Sequence, residues 1–446
     1  MTNISELKND IAINLQELIP FDLKISSDKN SLLISKGVMS SEIPLASLEL
    51  DLLKKFPIVN NQINFSTQLN GSVIINFQLE SITNIDEIKI LLQQIISTEL
   101  PLKLKNNTTN KPLTYIPNNY FGIPLIGSMY FGVIDRGTSL LQLRSITGCP
   151  LNCPFCSVDE GPTSKSKLRD FIVDSDYLVN SYNYVVKEKG LKEAEAHLDG
   201  QGEPMAYPYL PELVQKLWLN NSTKIISIQT NGWFLTEKLI DELAEVNLSR
   251  INLSINAIDL KLGKHLAGRG DYHLERILGL AEYIVNSGIS LLLAPIWILG
   301  VNDDEIEKII KFSVKINSKE KRYPTMGIQN YLVHNEGRNI KGIKQKSFNE
   351  FYDQLRSFEN SYNMKNLVLK QHMFKTQKSK MLSNPMKINE IVVGEIVLQG
   401  RLEDEVIAQA KNRLIHVSNA GNLSIGKKVK LRIVRNRHNI FFAVPT

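Results

Sequence analysis

Cysteine is nearly absent from this chain: there are three among 446 residues, Cys149, Cys153 and Cys156, all inside eight consecutive positions. An odd, clustered trio excludes a disulfide framework and reads as a metal site. Long apolar runs are missing too. The most apolar segment, Ile289 to Leu299, is about half the roughly 20 residues a membrane span needs, and Pro295 interrupts it. The opening stretch, Met1 to Phe21, mixes charged and apolar residues and lacks the unbroken run of a secretory signal. A cytoplasmic protein with no membrane partner, mature over its whole length, is therefore expected. Residues 1 to 115 contain neither His nor Cys and no glycine-rich phosphate loop, so their role is not legible.

What is present is ordinary globular composition, 43% hydrophobic and 22% charged, which excludes a disordered chain and leaves room for two or three cores. The net charge is +6, but it is unevenly placed. From Leu369 to Thr446, 14 lysines and arginines face five acids, so this tail carries +9 and the remainder −3. A basic module on a near-neutral body points to a polyanion partner, or to a merely solvated basic surface.

Residues 1–115 mix helical periodicity (Ile4 to Leu18, Leu45 to Phe56, Ile85 to Leu100) with strand-like runs (Leu32 to Ser35, Val73 to Phe77), the pattern of a small α/β domain. From about Tyr130, strands alternate with amphipathic helices, which argues for βα units around a mostly parallel sheet. The expected strands are Leu141–Ile146, Glu195–Leu198, Ile225–Thr230, Arg250–Asn256, Ser290–Leu299 and Met326–Leu332, with helices such as Leu210–Leu219, Thr236–Val246, Leu274–Ser287 and Asp303–Ile316 between them. Thr236 and Asp303 are candidate N-caps. Six units predict an α/β fold built on a partial (β/α)6 TIM-like barrel over 130–369. Residues 370–386 read as a basic linker, and 387–446 as about five short strands, the size of a small OB-like β-barrel.

The segment Thr147-Gly-Cys-Pro-Leu-Asn-Cys-Pro-Phe-Cys-Ser157 follows the first barrel strand with the spacing C-x3-C-x2-C. Thiolates suit iron–sulfur clusters or zinc, and three of them on a four-iron cluster leave one iron open. A zinc site completed by a distant His is the alternative. With Phe155 before the last cysteine, the loop resembles the signature of the radical S-adenosylmethionine (radical SAM) superfamily. That resemblance implies one 4Fe-4S cluster on Cys149, Cys153 and Cys156, whose open iron binds S-adenosyl-L-methionine. It also implies a one-electron reductant and a 5′-deoxyadenosyl radical that abstracts hydrogen from a substrate, an oxidoreductase-type chemistry.

Later segments extend the resemblance. Asp199-Gly-Gln-Gly-Glu-Pro204 is similar to the family's Gly-Gly-Glu-Pro turn, with Gln201 in place of the first glycine, and implies that Gly202 and Glu203 bind the cofactor's amino group. In Ile251-Asn-Leu-Ser-Ile-Asn256 alternation puts Asn252, Ser254 and Asn256 on one face, which in a barrel is the inward one. The resemblance implies that Ser254 and Asn256, with Gln229 or Thr230 from the preceding strand, contact the cofactor's carboxylate and ribose. Leu266–Asp271 and Leu299–Asp304 look like family loops, with Pro295 and Trp297 near the adenine and His334 where a substrate or cofactor contact can sit. No residue catalytic toward the substrate is legible.

The last 60 residues resemble a TRAM domain, through Val393–Val397, Val417–Gly421, Gly426–Lys430 and Val434–Arg437. This implies RNA, transfer or ribosomal, as the partner of 387–446, and fits the +9 tail. As a docking module, it is expected to be removable without loss of cofactor cleavage. Three cysteines leave none for a second cluster, as in methylthiotransferases, or for a methyl-carrying thiol. Asp271-Tyr-His273 departs from a cobalamin motif at Arg276. Three readings follow: a radical SAM enzyme modifying RNA, one acting on a protein, peptide or small metabolite, and a non-catalytic zinc-stabilised RNA-binding protein.

Overall fold

The computed structural model describes residues 9–79, 84–317, 320, 322–362 and 364–446. Contacts divide the chain into two compact units, Met1–Tyr115 and Ile116–Thr446. In the first, the strands Asn9–Asn14, Val73–Leu79 and Ile58–Thr67 form an antiparallel sheet with Val73–Leu79 central. A second antiparallel set runs through Asp22–Ile25, Ser31–Lys36 and Met39–Pro44. Helices Leu45–Lys55 and Ile85–Leu102 pack Leu48, Leu52, Ile88, Leu92 and Ile96 into the core. Residues 1–8 lie outside those described. Among the described residues, the helix expected over Ile4 to Leu18 is replaced at Asn9–Asn14 by a strand. Its alternating Ile11 and Ile13 satisfy a sheet as readily as a helix, and pairing with Val73–Leu79 decides between the two.

The second unit carries a six-position parallel arrangement: β1 (Leu140–Arg144), β2 (Ala194–Leu198), β3 (Thr223–Thr230), β4 (Arg250–Leu253) and β5 (Ser290–Leu293) pair in that order. Leu293 then bridges Met326 in parallel, which brings β6 (Gln329–Asn330) to the sixth position, where it pairs with Ile296–Trp297. A strand Gly132–Asp135 runs antiparallel to β1 as the edge. The helices α1 (Ser175–Lys189), α2 (Leu210–Trp218), α3 (Glu237–Glu245), α4 (Leu260–Ala267), α5 (Leu274–Asn286), α6 (Asp303–Ile316) and α7 (Phe348–Ser361) complete the barrel region. Thr236 caps α3 by accepting from the Leu239 N–H. Asp303 is not the cap of α6, which is Asn302. Asp303 is instead inside the first turn, accepting from the Trp297 indole N–H at 2.7 Å and the Gly300 N–H at 2.5 Å.

Alternation sorts the strands as expected. Leu143, Leu198, Ile228, Ile251 and Leu291 share a register row and are buried, while Gln142, His197, Ser227, Arg250 and Ser290 form the next row, on the opposite face. That polar row is internally bonded. Ser227 Oγ sits 2.7 Å from His197 Nδ1 and donates to Glu195 Oε1 at 2.6 Å, which also pairs with Arg250 at 2.6 Å.

The C-terminal strands β7 (Ile391–Gln399), β8 (Val406–Ala410), β9 (Arg413–Val417), β10 (Lys428–Arg435) and β11 (Phe442–Pro445) close into a five-stranded barrel around Ile396, Val406, Ile415, Leu431 and Phe441. Two features differ from a tail on a loose linker. Residues 370–386 are bonded along the core edge: the Gln377 carbonyl accepts from Ser139, the Ser379 N–H donates to Gly137, and the Leu382 N–H donates to Asp135. Buried polar groups also join barrel to core. His416 Nε2 accepts from the Met129 N–H at 3.0 Å, so its Nδ1 carries the proton toward Glu405 Oε1 at 2.9 Å, and the Tyr130 hydroxyl also donates to Glu405 at 2.8 Å. Among the described residues no helix is long and apolar enough to cross a membrane.

Candidate active site

The C-terminal ends of the barrel strands, where α/β barrels build their sites, converge on a cavity of about 330 Å³ lined by Cys149, Cys153 and Cys156 together with Gly202, Ser254 and Asn256. The loop after β1 is shaped by its neighbours as well as by its own hydrogen bonds. Gly148 bridges Gly202 in parallel, and Gly202 has φ 148° with its Cα against Gly148, so an added Cβ would lie 2.2 Å from the Gly148 oxygen. Glycine is therefore required at 202. Position 201 carries no such constraint: Gln201 is buried and uses its carbonyl to accept the Gly148 N–H. This explains why the turn tolerates glutamine there. Gly268 ends α4 at φ 63°, where a Cβ would strike the Asn152 oxygen at 2.1 Å, and this seats the next wall of the cavity on the cysteine loop.

Three N–H groups reach the cysteine sulfurs: Leu151 to Cys149 at 3.5 Å, Asn231 Nδ2 to Cys149 at 3.4 Å and the Glu160 N–H to Cys156 at 3.3 Å. Arg338 closes the loop from the far side. Its Nε donates to the Cys153 oxygen at 2.8 Å, its N–H to the Cys156 oxygen at 2.8 Å, and its guanidinium also reaches the Glu160 oxygen and Asp159. Burial pushes the Cys149 thiol well above its ordinary value and that of Cys153 to about 12, with the neighbouring thiols adding to each shift. Left to themselves these are thiols, so the thiolate form requires a bound cation. Among the described residues no group of three His, Cys, Asp or Glu side chains is placed to hold one metal ion, which leaves the zinc reading without a ligand set. A four-iron cluster takes one thiolate per iron and needs no convergence on a point.

The other sequence-derived residues divide. Phe155 lines the cavity and packs on Ala257, Leu266, Ile298 and Tyr331. Ser254 and Asn256 line it, and Asn256 Oδ1 accepts from the Ile296 N–H at 2.8 Å. Gln229 is not on the wall; it donates to Ser254 Oγ at 2.9 Å and so orients it. Glu203 lies buried beneath the turn, accepting from Thr230 Oγ1 at 2.6 Å, the Asn231 N–H at 2.8 Å and the Met205 N–H at 3.0 Å. Burial raises its pKa to about 7 against those three donors. Pro295 and Trp297 do not reach the cavity. Trp297 points away, tied to Asp303, under Lys346 and against Phe351 and Phe358 of α7, and Ile296 takes the inward place. His334 is on the wall. Asn231 and Tyr272 also line it, and sequence reasoning assigned them no role. Asn231 stood in view at the end of β3, but nothing local marks an amide that will meet a sulfur 82 residues away.

The model of the Radical SAM superfamily matches residues 143–313. An uncharacterized protein of Methanocaldococcus jannaschii is 42% identical over 395 residues, 84% of this chain and 90% of that protein. The chain belongs to the radical SAM superfamily. The GTP 3′,8-cyclase of Chlorobaculum tepidum is 22% identical over 178 residues, 40% of this chain and 51% of the relative. The crystal structure of Streptococcus suis SuiB aligns with TM-score 0.36 and 17% identity, covering 64% of this chain and 53% of that one. The chain thus spans about half the length of these last two proteins.

As a radical SAM enzyme it uses a 4Fe-4S cluster and S-adenosylmethionine, and Cys149, Cys153 and Cys156 fit the family's cysteine spacing. When bound, the cluster supplies the electron that cleaves the sulfonium to a 5′-deoxyadenosyl radical. The chain's own contribution is placement: Arg338 and Gly202 hold the cysteine loop, Asn231 polarises one sulfur, and the apolar wall of Phe155, Leu266 and Tyr272 limits water at the reacting end.

Proposed function

We propose that this radical SAM enzyme modifies RNA, transfer RNA foremost, docked by a TRAM-like C-terminal barrel. The observation that carries the reading is the basic barrel seated against the core. Lys428 and Lys430 on one side of β10 and Lys427 just before the strand are exposed, and the tail from Leu369 holds nine more cations than acids. Basic side chains on a rigid platform supply phosphate affinity and register. In this reading Gly202, Ser254 and Asn256 hold S-adenosylmethionine, with Glu203 fixing the turn and Gln229 orienting Ser254. The protein acts in the cytoplasm.

A second reading, a free purine nucleotide as substrate, draws on the relatives named GTP 3′,8-cyclase, one of which, from Sulfurisphaera tokodaii, is 24% identical over 320 residues and is covered for 95% of its length. The test is anaerobic reconstitution, then incubation with dithionite and S-adenosylmethionine alone, with total tRNA, or with GTP. Stimulation of 5′-deoxyadenosine by tRNA supports the RNA reading; stimulation by GTP alone replaces it.

A further inference from the structure

The cations that the cofactor cavity leaves unused gather at the open edge of the barrel sheet. The edge strand Gly132–Asp135 packs against the turn Arg437–Asn439 that joins β10 to β11. Leu382 ties the two together, its N–H donating to Asp135 Oδ2 at 2.7 Å and its oxygen accepting from Asn439 Nδ2 at 3.1 Å. Arg136 follows the strand, and Arg435 lies over the Phe442 ring at 5.3 Å.

The acids that could neutralise this group are engaged elsewhere. Asp135 pairs with Lys189 in full burial, and Asp199 pairs with Arg144 at 3.3 Å. Among the described residues, Arg136, Arg435 and Arg437 have no carboxylate within 4.0 Å. Burial and then the Arg144 cation depress the pKa of Arg136, with Asp199 opposing and Arg437 and Arg435 adding to the fall. His438 completes the set. It is held at φ 59°, a region side chains seldom adopt, with a buried Nδ1 that has no hydrogen-bond partner. Burial, then Arg136 and Arg437, lower the pKa of its imidazole against the opposing charge of Asp135. Three guanidiniums with no directly paired carboxylate, on adjoining segments beside an unpaired ring nitrogen, suit an anion, and guanidinium geometry matches phosphate.

We propose that Arg136, Arg435, Arg437 and His438 form a phosphate-binding site, shared between the barrel sheet and the C-terminal barrel, that grips an RNA phosphodiester beside the nucleotide being modified. The proposal rests on the RNA reading above. Its link to the active site is a chain of side chains: Arg136 Nε donates to Gln142 Oε1 at 2.5 Å, Gln142 donates to Asp199, and Asp199 directly precedes Gly200 on the cavity wall.

The test is binding of fluorescein-labelled total tRNA to the full chain between 50 and 200 mM salt, for wild type, Arg136→Gln, Arg437→Gln, Arg136→Lys and the exposed control Arg356→Gln. The slope of log affinity against log salt is expected to fall by about 0.7–0.9 for each arginine neutralised, to be retained in Arg136→Lys, and to be unchanged in Arg356→Gln. Unaltered slopes in both glutamine variants overturn the site while leaving RNA binding in place. Failure of the wild type to bind tRNA at 50 mM salt overturns the RNA reading itself, and the site with it.

Discussion

Arg401, on the connection between β7 and β8 of the C-terminal barrel, is bonded through its guanidinium to Glu160, whose own N–H donates to the Cys156 sulfur at 3.3 Å. The same guanidinium reaches Asp170 at 2.7 Å, and Asp170 accepts from Thr147 Oγ1, two residues before Cys149. One fully buried side chain from the C-terminal module thereby holds both ends of the cysteine loop. Burial opposes the charge of Arg401, but Glu160 and Asp170 outweigh it and raise the pKa, so the group stays ionised.

The first prediction reverses an expectation drawn from the sequence. Arg401→Met strands two buried carboxylates, which costs about 3–5 kcal/mol. The reconstituted variant is expected to hold far less iron and acid-labile sulfide than wild type, and deletion of residues 387–446 to lose cofactor cleavage outright. Full iron loading in both would show that the barrel is a separable docking module after all.

The second concerns Asn231. Hydrogen bonds to cluster sulfurs favour the reduced state. Removing the amide in Asn231→Ala is expected to make the cluster potential more negative, by some tens of millivolts, with iron content unchanged. Redox titration followed by EPR checks this, and an unshifted midpoint removes Asn231 from the electronic role.

Glu203 gives a pH signature. Its folded pKa is raised from 4.5 to about 7 by burial, so its protonated form contributes stability that is fully present below pH 4.5 and lost as pH rises through 7. Relative to Glu203→Gln, apo wild type is expected to lose up to about 3 kcal/mol across that window. Denaturant unfolding of both proteins at pH 5 and pH 8 measures it. A constant difference would mean that Glu203 is already ionised at pH 5.

Much of this was readable in advance, and the reasons are physical. β9 and β10 fill two of the short strands expected over 387–446 because β-branched residues between turn signals leave no helical option. The cysteine loop, Gly202, Ser254 and Asn256 were legible because short motifs carry them. Trp297 was misplaced because strand alternation fixes two faces but not which faces the cavity, and its partner Asp303 decides. Arg401 could not be found, since a lone arginine in a basic tail differs from its neighbours only through Glu160 and Asp170, more than 230 residues earlier in the chain.

The fourth prediction separates docking from folding. Replacing exposed Lys427, Lys428 and Lys430 by Gln is expected to weaken tRNA binding and flatten its salt dependence, with stability held within about 0.5 kcal/mol. An unchanged salt slope would remove this face from the RNA interface.

The most direct test follows one hydrogen. Total tRNA from cells grown in heavy water is incubated anaerobically with reconstituted enzyme, dithionite and S-adenosylmethionine, and 5′-deoxyadenosine and recovered S-adenosylmethionine are weighed by mass spectrometry, with Cys153→Ala as the blank. Deuterium in either compound with wild type, and no cleavage in Cys153→Ala, is the predicted result. Cleavage that never takes deuterium from the RNA would contradict the assignment of RNA as substrate.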